Sequence, residues 1–173
     1  MILYDYPSAP NPMRVNLFIN EKKISIDRKI VDLSKHENLK PKYLKLNPWG
    51  TVPFLVVKNK VISESIAICK YLDHISPSPS LFGSSPIEKA TIEMFRRKVE
   101  FDGMQAAGEA FRNSVKSFKD RAFAGPGKIP QIPQLIESAI SSHEWSKIVT
   151  IETISYLTDW TNNFINTQVN SYA

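Results

Sequence analysis

The chain has 173 residues, of which 42% are hydrophobic and 23% are charged, as is typical of a globular protein. Lys and Arg outnumber Asp and Glu by 22 to 17, and no apolar run approaches the ~20 residues that a membrane helix needs. The single cysteine, Cys69, excludes an intrachain disulfide, and the N-terminus lacks the features of a secretory signal, so a cytoplasmic protein is expected.

The first 75 residues predict a small domain of alternating strands and helices. Period-two or β-branched patterns predict strands at residues 2–6, 28–33, 54–57 and 60–63. The last two are separated by Lys58-Asn59, a two-residue hairpin. Helical patterns cover residues 12–23 and 64–75, and residues 40–46 are expected to form a short helix or a turn. The resulting order, βαβαββα, is that of a thioredoxin-like domain.

A Ser- and Pro-rich stretch, residues 76–80, interrupts these patterns and predicts a linker. Only helical patterns follow, and the first opens with Ser85, Pro86 and Glu88, which are placed for a capping box. The expected fold class is therefore α+β. A thioredoxin-like domain is expected at residues 1–76, a linker at 77–85 and an all-helical domain at 86–173.

The basic excess lies in the first half of the chain. Residues 1–75 carry 12 Lys and Arg against 7 Asp and Glu, whereas residues 76–173 carry 10 of each. This asymmetry fits steering of an anionic ligand towards the first domain, although solvated surface lysines would give the same count. The basic residues are scattered without a nucleic-acid-binding motif, and the three histidines share no metal-ligand spacing.

Two short motifs predict a place for a small extended anionic peptide. A proline that begins a strand, here Pro53, cannot join the sheet ladder, and the preceding residue Val52 keeps a backbone N–H and C=O free for a ligand. A helix start at Glu64-Ser65 exposes N–H groups and a positive dipole end, which suits a carboxylate. Plain capping of that helix is the structural alternative.

These motifs resemble the glutathione-binding half of cytosolic glutathione transferases. The similarity is carried by residues 47–53, by residues 64–72, and by the first strand and helix, and it spans residues 1 to about 85. It is closest to bacterial members, and residues 111–114 and 131–133 fit their helical half up to about residue 138. In that family a further central helix would follow about where this chain ends, so a C-terminally truncated, incomplete helical domain is expected.

The resemblance also implies site residues. Counting back from Arg14-Val15 places Asn11 at the position of an Asn that activates the glutathione thiol in some bacterial members, and Ser8 is the second candidate. Ala9 stands where a Thr or Ser would be. The alternative is that Asn11 caps the helix and Ser8 bonds the turn.

The remaining implied contacts surround the peptide ligand. Val52, before a cis Pro53, would pair with the cysteinyl part of glutathione, while Ser65 would hold the γ-glutamyl carboxylate and Glu64 would bear on the ammonium. Lys40, in a loop with His36 and Asn38, would reach the glycyl carboxylate. No metal is implied.

The expected function is that of a homodimeric glutathione transferase, with glutathione as co-substrate and no metal. Thiolate addition to a small electrophile, or thiol-disulfide chemistry, would follow binding. The alternative is a non-catalytic glutathione-binding or dimerising remnant that lacks the core C-terminal helices. Nucleic-acid and membrane partners are not expected. Retention on immobilised glutathione without turnover would favour the alternative.

Overall fold

The computed structural model describes residues 1–114, 116–122 and 125–133. These residues belong to two compact units. The first contains residues 1–97 with the described part of 115–131, and the second contains residues 98–114 with residues 132 and 133.

The first unit is built on a four-stranded mixed sheet. Its strands are β1 (Ile2–Asp5), β2 (Asp27–Ile30), β3 (Phe54–Val57) and β4 (Lys60–Ser63), in the spatial order β2-β1-β3-β4. β1 runs parallel to β2 and antiparallel to β3, and β3 runs antiparallel to β4. Because side chains alternate along a strand, the sheet presents one apolar set to each face.

Helices cover both faces of this sheet. α1 (Pro10–Glu21) and α3 (Ser65–Ile75) share a core with the sheet, made of Leu3, Val15, Ile19, Leu55, Ile68, Cys69 and Leu72. On the opposite face Tyr4 and Phe54 stack with ring centroids 4.4 Å apart, and Tyr43 of α2 (Pro41–Leu44) packs against them. The predicted thioredoxin-like order βαβαββα is confirmed.

The second strand is shorter than its sequence pattern predicted. The pattern extends over residues 28–33, but the paired strand β2 ends at Ile30, and all four of its residues are exposed. Pairing continues only through the N–H of Val31, which donates to the carbonyl of Asp5 at 2.8 Å. The apolar residues Val31 and Leu33 therefore pack beneath the sheet rather than extend its ladder.

The segment after α3 is tied to the domain by a buried charge pair. The ammonium of Lys22 is fully shielded from solvent, lies 2.7 Å from Oδ1 of Asp73 and also donates to the carbonyl of Pro79. Asp73 further accepts hydrogen bonds from the N–H of Leu81 and the hydroxyl of Ser80. This network fixes the path of the Ser- and Pro-rich stretch across the end of α1.

The next helix, α4 (Pro86–Lys98), begins with the predicted capping box. The N–H of Glu88 donates to the Ser85 hydroxyl at 3.2 Å, and the N–H of Ser85 donates to the Glu88 carboxylate at 3.1 Å. Phe95 of this helix leaves 47% of its surface exposed.

The described part of the second unit is helical. A π-helical turn (Val99–Gln105) leads into α5 (Ala106–Ser114), where Arg112 and Asn113 are buried. Asn113 Oδ1 accepts hydrogen bonds from Arg112 at 2.7 Å and from the N–H of Ile132 at 2.8 Å. This amide thus joins two short motifs that the sequence had assigned to the helical half. The helical patterns predicted beyond residue 133 lie outside the described residues.

No strand occurs after residue 86 in the stretches that the structure describes. Over the same described residues, none of the helices combines the length and the apolar character that crossing a membrane requires.

Candidate functional site

The N-terminus of α1 offers one residue as a hydrogen-bond donor. Ala9 precedes the helix without a side-chain cap, and Pro10 and Pro12 carry no N–H. The N–H of Met13 donates to the carbonyl of Ala9 at 2.9 Å. The N–H of Asn11 has no partner among the described residues. Asn11 lies inside the helix, so the interpretation that it caps α1 was wrong.

The N-terminus of α3 is likewise uncapped. Glu64 precedes it with φ 72° and ψ 120°, a conformation that L-residues rarely adopt, and its side chain makes no capping bond. The first helical bond runs from the N–H of Ile68 to the carbonyl of Glu64. The N–H groups of residues 65–67 therefore donate to no described residue, and they form the positive end of the helix.

Three side chains connect these two helix ends. Arg14 of α1 donates from Nη1 to the hydroxyl of Ser65 at 2.8 Å and to Oδ1 of Asn11 at 3.2 Å. The Ser65 hydroxyl lies 3.3 Å from the same oxygen of Asn11. Ser65 is buried, Arg14 is half-buried and Asn11 is exposed, so the cluster runs from the interior to the surface.

Arg14 has no counter-charge in this cluster. No ion pair joins it to a carboxylate anywhere in residues 1–114, 116–122 and 125–133. Its positive charge adds to those of the two helix N-termini, and the arrangement can therefore attract an anion.

The strand entry beside Val52 has the geometry that its sequence predicted. The peptide bond between Val52 and Pro53 is cis, and within the described residues neither the N–H nor the C=O of Val52 makes a hydrogen bond. The preceding turn is held by Asn47, which donates to the carbonyl of Thr51 at 2.9 Å, and by Asn38, which donates to the carbonyl of Gly50 at 2.8 Å.

The loop that contains Lys40 is basic but already engaged. Lys40 is exposed and pairs with Glu37 at 3.3 Å. His36 Nδ1 lies 3.4 Å from the guanidinium of Arg121, and Asn38 is committed to the turn at Gly50. A carboxylate bound by Lys40 would therefore compete with Glu37.

Ser8, the second candidate for thiol activation, is not hydrogen-bonded to this cluster. The Ser8 hydroxyl is exposed and bonds no group in the described part of the chain, so the interpretation that it bonds the turn was wrong.

The single cysteine is a core residue. Cys69 is 2% exposed, and burial raises the pKa of its thiol to about 12. Cys69 is therefore expected to be unreactive in the folded protein. Among the described residues no group of three or more His, Cys, Asp or Glu side chains is arranged to hold a metal ion.

A cavity of about 500 Å³ lies between α3, the linker and α4. It is lined by Lys70, Asp73, His74, Phe82 and Glu93 among others, and it contains none of the residues at the helix ends. Lys70 and Glu93 pair across it at 3.5 Å. Because its charges compensate one another, whereas those at the helix ends do not, we place the candidate site at Asn11, Arg14 and Ser65.

Arg14 was not predicted as a site residue from the sequence. The signal that could have singled it out is its spacing, because a residue three positions after Asn11 lies on the same helix face. Its contact with Ser65 joins residues 51 positions apart and depends on the packing of α1 against α3.

Comparison with known proteins agrees with this architecture. Residues 1–74 match the model of the glutathione S-transferase N-terminal domain. Glutathione S-transferase 2 of Saccharomyces cerevisiae is 34% identical over 118 residues, which cover 66% of this chain and 51% of that protein. The chain thus spans about half the length of this curated relative.

Two solved structures extend the similarity into the helical part. A glutathione S-transferase domain-containing protein of Marinobacter aquaeolei VT8 aligns with a TM-score of 0.73 and 29% identity, over 92% of this chain and 73% of that one. Gtt2 of Saccharomyces cerevisiae aligns with a TM-score of 0.71 and 29% identity, over 82% and 67%. Residues 1–74 of this chain therefore belong to the family of glutathione S-transferase N-terminal domains, and the chain as a whole is similar to the solved glutathione S-transferase structures.

Proposed function

We propose that this protein binds glutathione at the facing ends of α1 and α3 and stabilises its thiolate for reaction with a small electrophile or a disulfide. The observation that carries the proposal is the Asn11–Arg14–Ser65 cluster, in which hydrogen bonds join two uncapped helix N-termini. Family membership supports glutathione as the anionic peptide.

Each part of glutathione has a matching group in this proposal. Ser65 and the free N–H groups of α3 hold the γ-glutamyl carboxylate, and Glu64 lies beside the ammonium. The free backbone of Val52, held by cis Pro53, pairs with the cysteinyl residue, and Lys40 attracts the glycyl carboxylate.

Thiol activation is assigned to Asn11. Its N–H and its amide Nδ2 both lack a described partner, and donors at a helix N-terminus lower a thiol pKa. The thiol proton passes to water. The thiolate sulfur then forms a bond to the electrophilic carbon, or to one sulfur of a disulfide, and the leaving group departs with its electron pair. Ser8 is the second candidate because its hydroxyl is exposed near the start of α1.

The test begins with binding. Millimolar glutathione is expected to raise the melting temperature by mass action. Replacing Ser65 by Ala is expected to weaken this stabilisation by about 1 kcal/mol or more, since a charged ligand group loses a hydrogen bond. Ser63→Ala, at the end of β4, is the matched control. If glutathione does not raise the melting temperature of the wild-type protein, the proposal is contradicted.

Turnover then identifies the activating group. With a general electrophile such as a chlorodinitrobenzene, Asn11→Ala is expected to lower turnover and the ultraviolet thiolate signal of bound glutathione while affinity changes little. The same loss in Ser8→Ala, with Asn11→Ala unaffected, would transfer the role to Ser8. Binding without turnover would support the non-catalytic alternative.

We further propose that the protein acts as a cytoplasmic homodimer. Ile87, Met94 and Phe95 of α4 expose 73%, 51% and 47% of their surfaces, and such apolar residues favour association. Sedimentation equilibrium at micromolar concentration checks this. A monomer at all concentrations would contradict it.

A further inference from the structure

We infer that Arg14 is a positioning residue, which fixes the side-chain amide of Asn11 so that its NH2 group stays available to the thiol. The inference rests on the proposed function of the same site, and it adds a residue to which neither the sequence motifs nor the family similarity assigned a role. It starts from the two hydrogen bonds that Arg14 makes at the helix ends.

Arg14 donates to two oxygens at the helix ends. Nη1 of Arg14 carries two hydrogens, and it lies 2.8 Å from the Ser65 hydroxyl and 3.2 Å from Oδ1 of Asn11. The Ser65 hydroxyl, 3.3 Å from that same Oδ1, can act as a second donor to it. Oδ1 of Asn11 therefore accepts from both Arg14 and Ser65, while the Ser65 hydroxyl oxygen accepts from Arg14.

The hydrogen bond from Arg14 determines the orientation of the Asn11 side-chain amide. An asparagine amide can turn by about 180°, which exchanges its oxygen and its NH2 group. In Asn11 the exchanged orientation would direct the NH2 group at the guanidinium N–H, so that donor would face donor. Arg14 thus selects one orientation, in which Nδ2 points away from the cluster and has no partner among the described residues.

Binding of a ligand carboxylate to Ser65 would change the hydrogen bonds of the cluster. The Ser65 hydroxyl has a single hydrogen, so it cannot donate to Asn11 and to a ligand carboxylate at once. When the hydroxyl turns to the ligand, the bond from Arg14 remains as the one that holds Oδ1 of Asn11. Arg14 therefore keeps the thiol-activating amide in place while Ser65 binds the γ-glutamyl end.

The planar guanidinium suits this role better than an ammonium would. Its donors have a fixed geometry, whereas the donors of lysine rotate about a flexible stem. Arg14 is half-buried, and α1 and α3 pack together through Val15, Ile19, Ile68 and Leu72, so the backbone positions of its partners are fixed independently. Arg14→Lys and Arg14→Gln are therefore expected to fold.

The experiment measures the thiol pKa of bound glutathione by ultraviolet titration, together with turnover. Arg14→Gln is expected to raise this pKa by about one unit and to lower kcat about tenfold, because a correctly oriented donor to the thiolate is lost. KM for glutathione is expected to change by less than about threefold, since Ser65 still binds the carboxylate. The thiol pKa and kcat of Arg14→Lys should lie between those of the wild type and Arg14→Gln. Lys60→Gln, an exposed residue of β4, controls for net charge.

The double variant Asn11→Ala/Arg14→Gln separates positioning from a direct charge effect. If Arg14 acts through Asn11, the double variant has the thiol pKa and kcat of Asn11→Ala alone. If Arg14→Gln lowers kcat and raises the pKa by the same factors in the Asn11→Ala background, Arg14 acts on the thiolate directly and the inference is overturned. A uniform rise in KM with kcat and pKa unchanged would also overturn it.

A ligand-free measurement distinguishes failure of this inference from failure of the proposed function. In nitrogen-15 relaxation, the Asn11 side-chain amide is expected to be restrained in the wild-type protein and in Lys60→Gln, and mobile in Arg14→Gln. A restrained amide in a protein that binds no glutathione would remove the proposed function and keep the positioning geometry. An amide equally mobile in all three proteins would overturn the inference even if glutathione binds.

Discussion

The ammonium of Lys22 lies 2.7 Å from the carboxylate of Asp73, and it is fully shielded from solvent. The pair joins the end of α1 to α3, and through Pro79, Ser80 and Leu81 it also holds the linker. A buried ion pair is costly to break from one side, because the remaining charge keeps its desolvation penalty without its partner. The stability of the contacts between the end of α1, α3 and the linker therefore depends on this one shielded ion pair.

Lys22→Met is expected to lower the free energy of unfolding by about 3 kcal/mol, because it leaves Asp73 without its ammonium partner. Urea denaturation followed by circular dichroism measures this change. Lys60→Met, at an exposed position of β4, is the matched control and is expected to stay within about 0.5 kcal/mol of the wild type.

The double variant Lys22→Met/Asp73→Leu gives the second half of this test. Removing both charges is expected to recover part of the loss, since apolar side chains can replace a buried pair at little cost. A double variant as unstable as the sum of the two single variants would show that the two side chains act independently.

The stability of the protein in acid is expected to depend on the carboxylate of Asp73. Burial acts to raise the pKa of Asp73, but the hydrogen bonds from Lys22 and from the N–H of Leu81 outweigh it and hold the pKa below the usual value of 3.8. A carboxyl group whose pKa is lower in the folded than in the unfolded state stabilises the protein at pH values above its unfolded-state pKa. This contribution is therefore retained above about pH 4 and lost as the pH falls further.

Urea denaturation between pH 2 and pH 6 measures this loss. The difference in stability between the wild type and Asp73→Asn is expected to be constant from about pH 5 to pH 6 and to shrink below about pH 4. A difference that stays constant down to pH 2 would mean that Asp73 titrates alike in the folded and unfolded states.

Local patterns predicted most of the first domain, and contacts between distant residues account for what they missed. The hairpin at Lys58-Asn59 and the capping box of Ser85 and Glu88 follow from residues a few positions apart, and both were predicted correctly. The end of β2 depends on pairing with β1, which a run of apolar residues does not determine.

The two polar clusters show the same limit. Lysine is rarely buried, so nothing local marks Lys22, whose partner Asp73 lies 51 positions away. Asn11 and Ser65 were predicted as site residues one at a time, but their hydrogen-bond distance requires α1 and α3 to pack side by side. Sequence thus predicted the members of the candidate site and left out the residue that joins them.

Cys69 provides a test of the core. Because burial raises its thiol pKa to about 12 and leaves 2% of the residue exposed, it is expected to resist alkylation at pH 7.5 in the folded protein. Mass spectrometry after iodoacetamide treatment should show no modification within an hour, and full modification in urea. Rapid labelling without urea would mean that the α1–α3 core opens locally.

The last prediction concerns Lys40, which the proposed function assigns to the glycyl carboxylate. Lys40→Gln is expected to weaken glutathione binding by about 1 kcal/mol, a modest effect because Lys40 is exposed and Glu37 competes for its charge at 3.3 Å. Calorimetry compares glutathione with its glycyl monoethyl ester, which lacks that carboxylate. The ester should bind the wild type and Lys40→Gln with equal affinity. As a control, Lys45→Gln, which alters another exposed lysine, should leave the affinity for both ligands unchanged. If Lys40→Gln weakens binding of the ester as much as binding of glutathione, Lys40 acts through the general charge of the loop and the glycyl carboxylate is bound elsewhere.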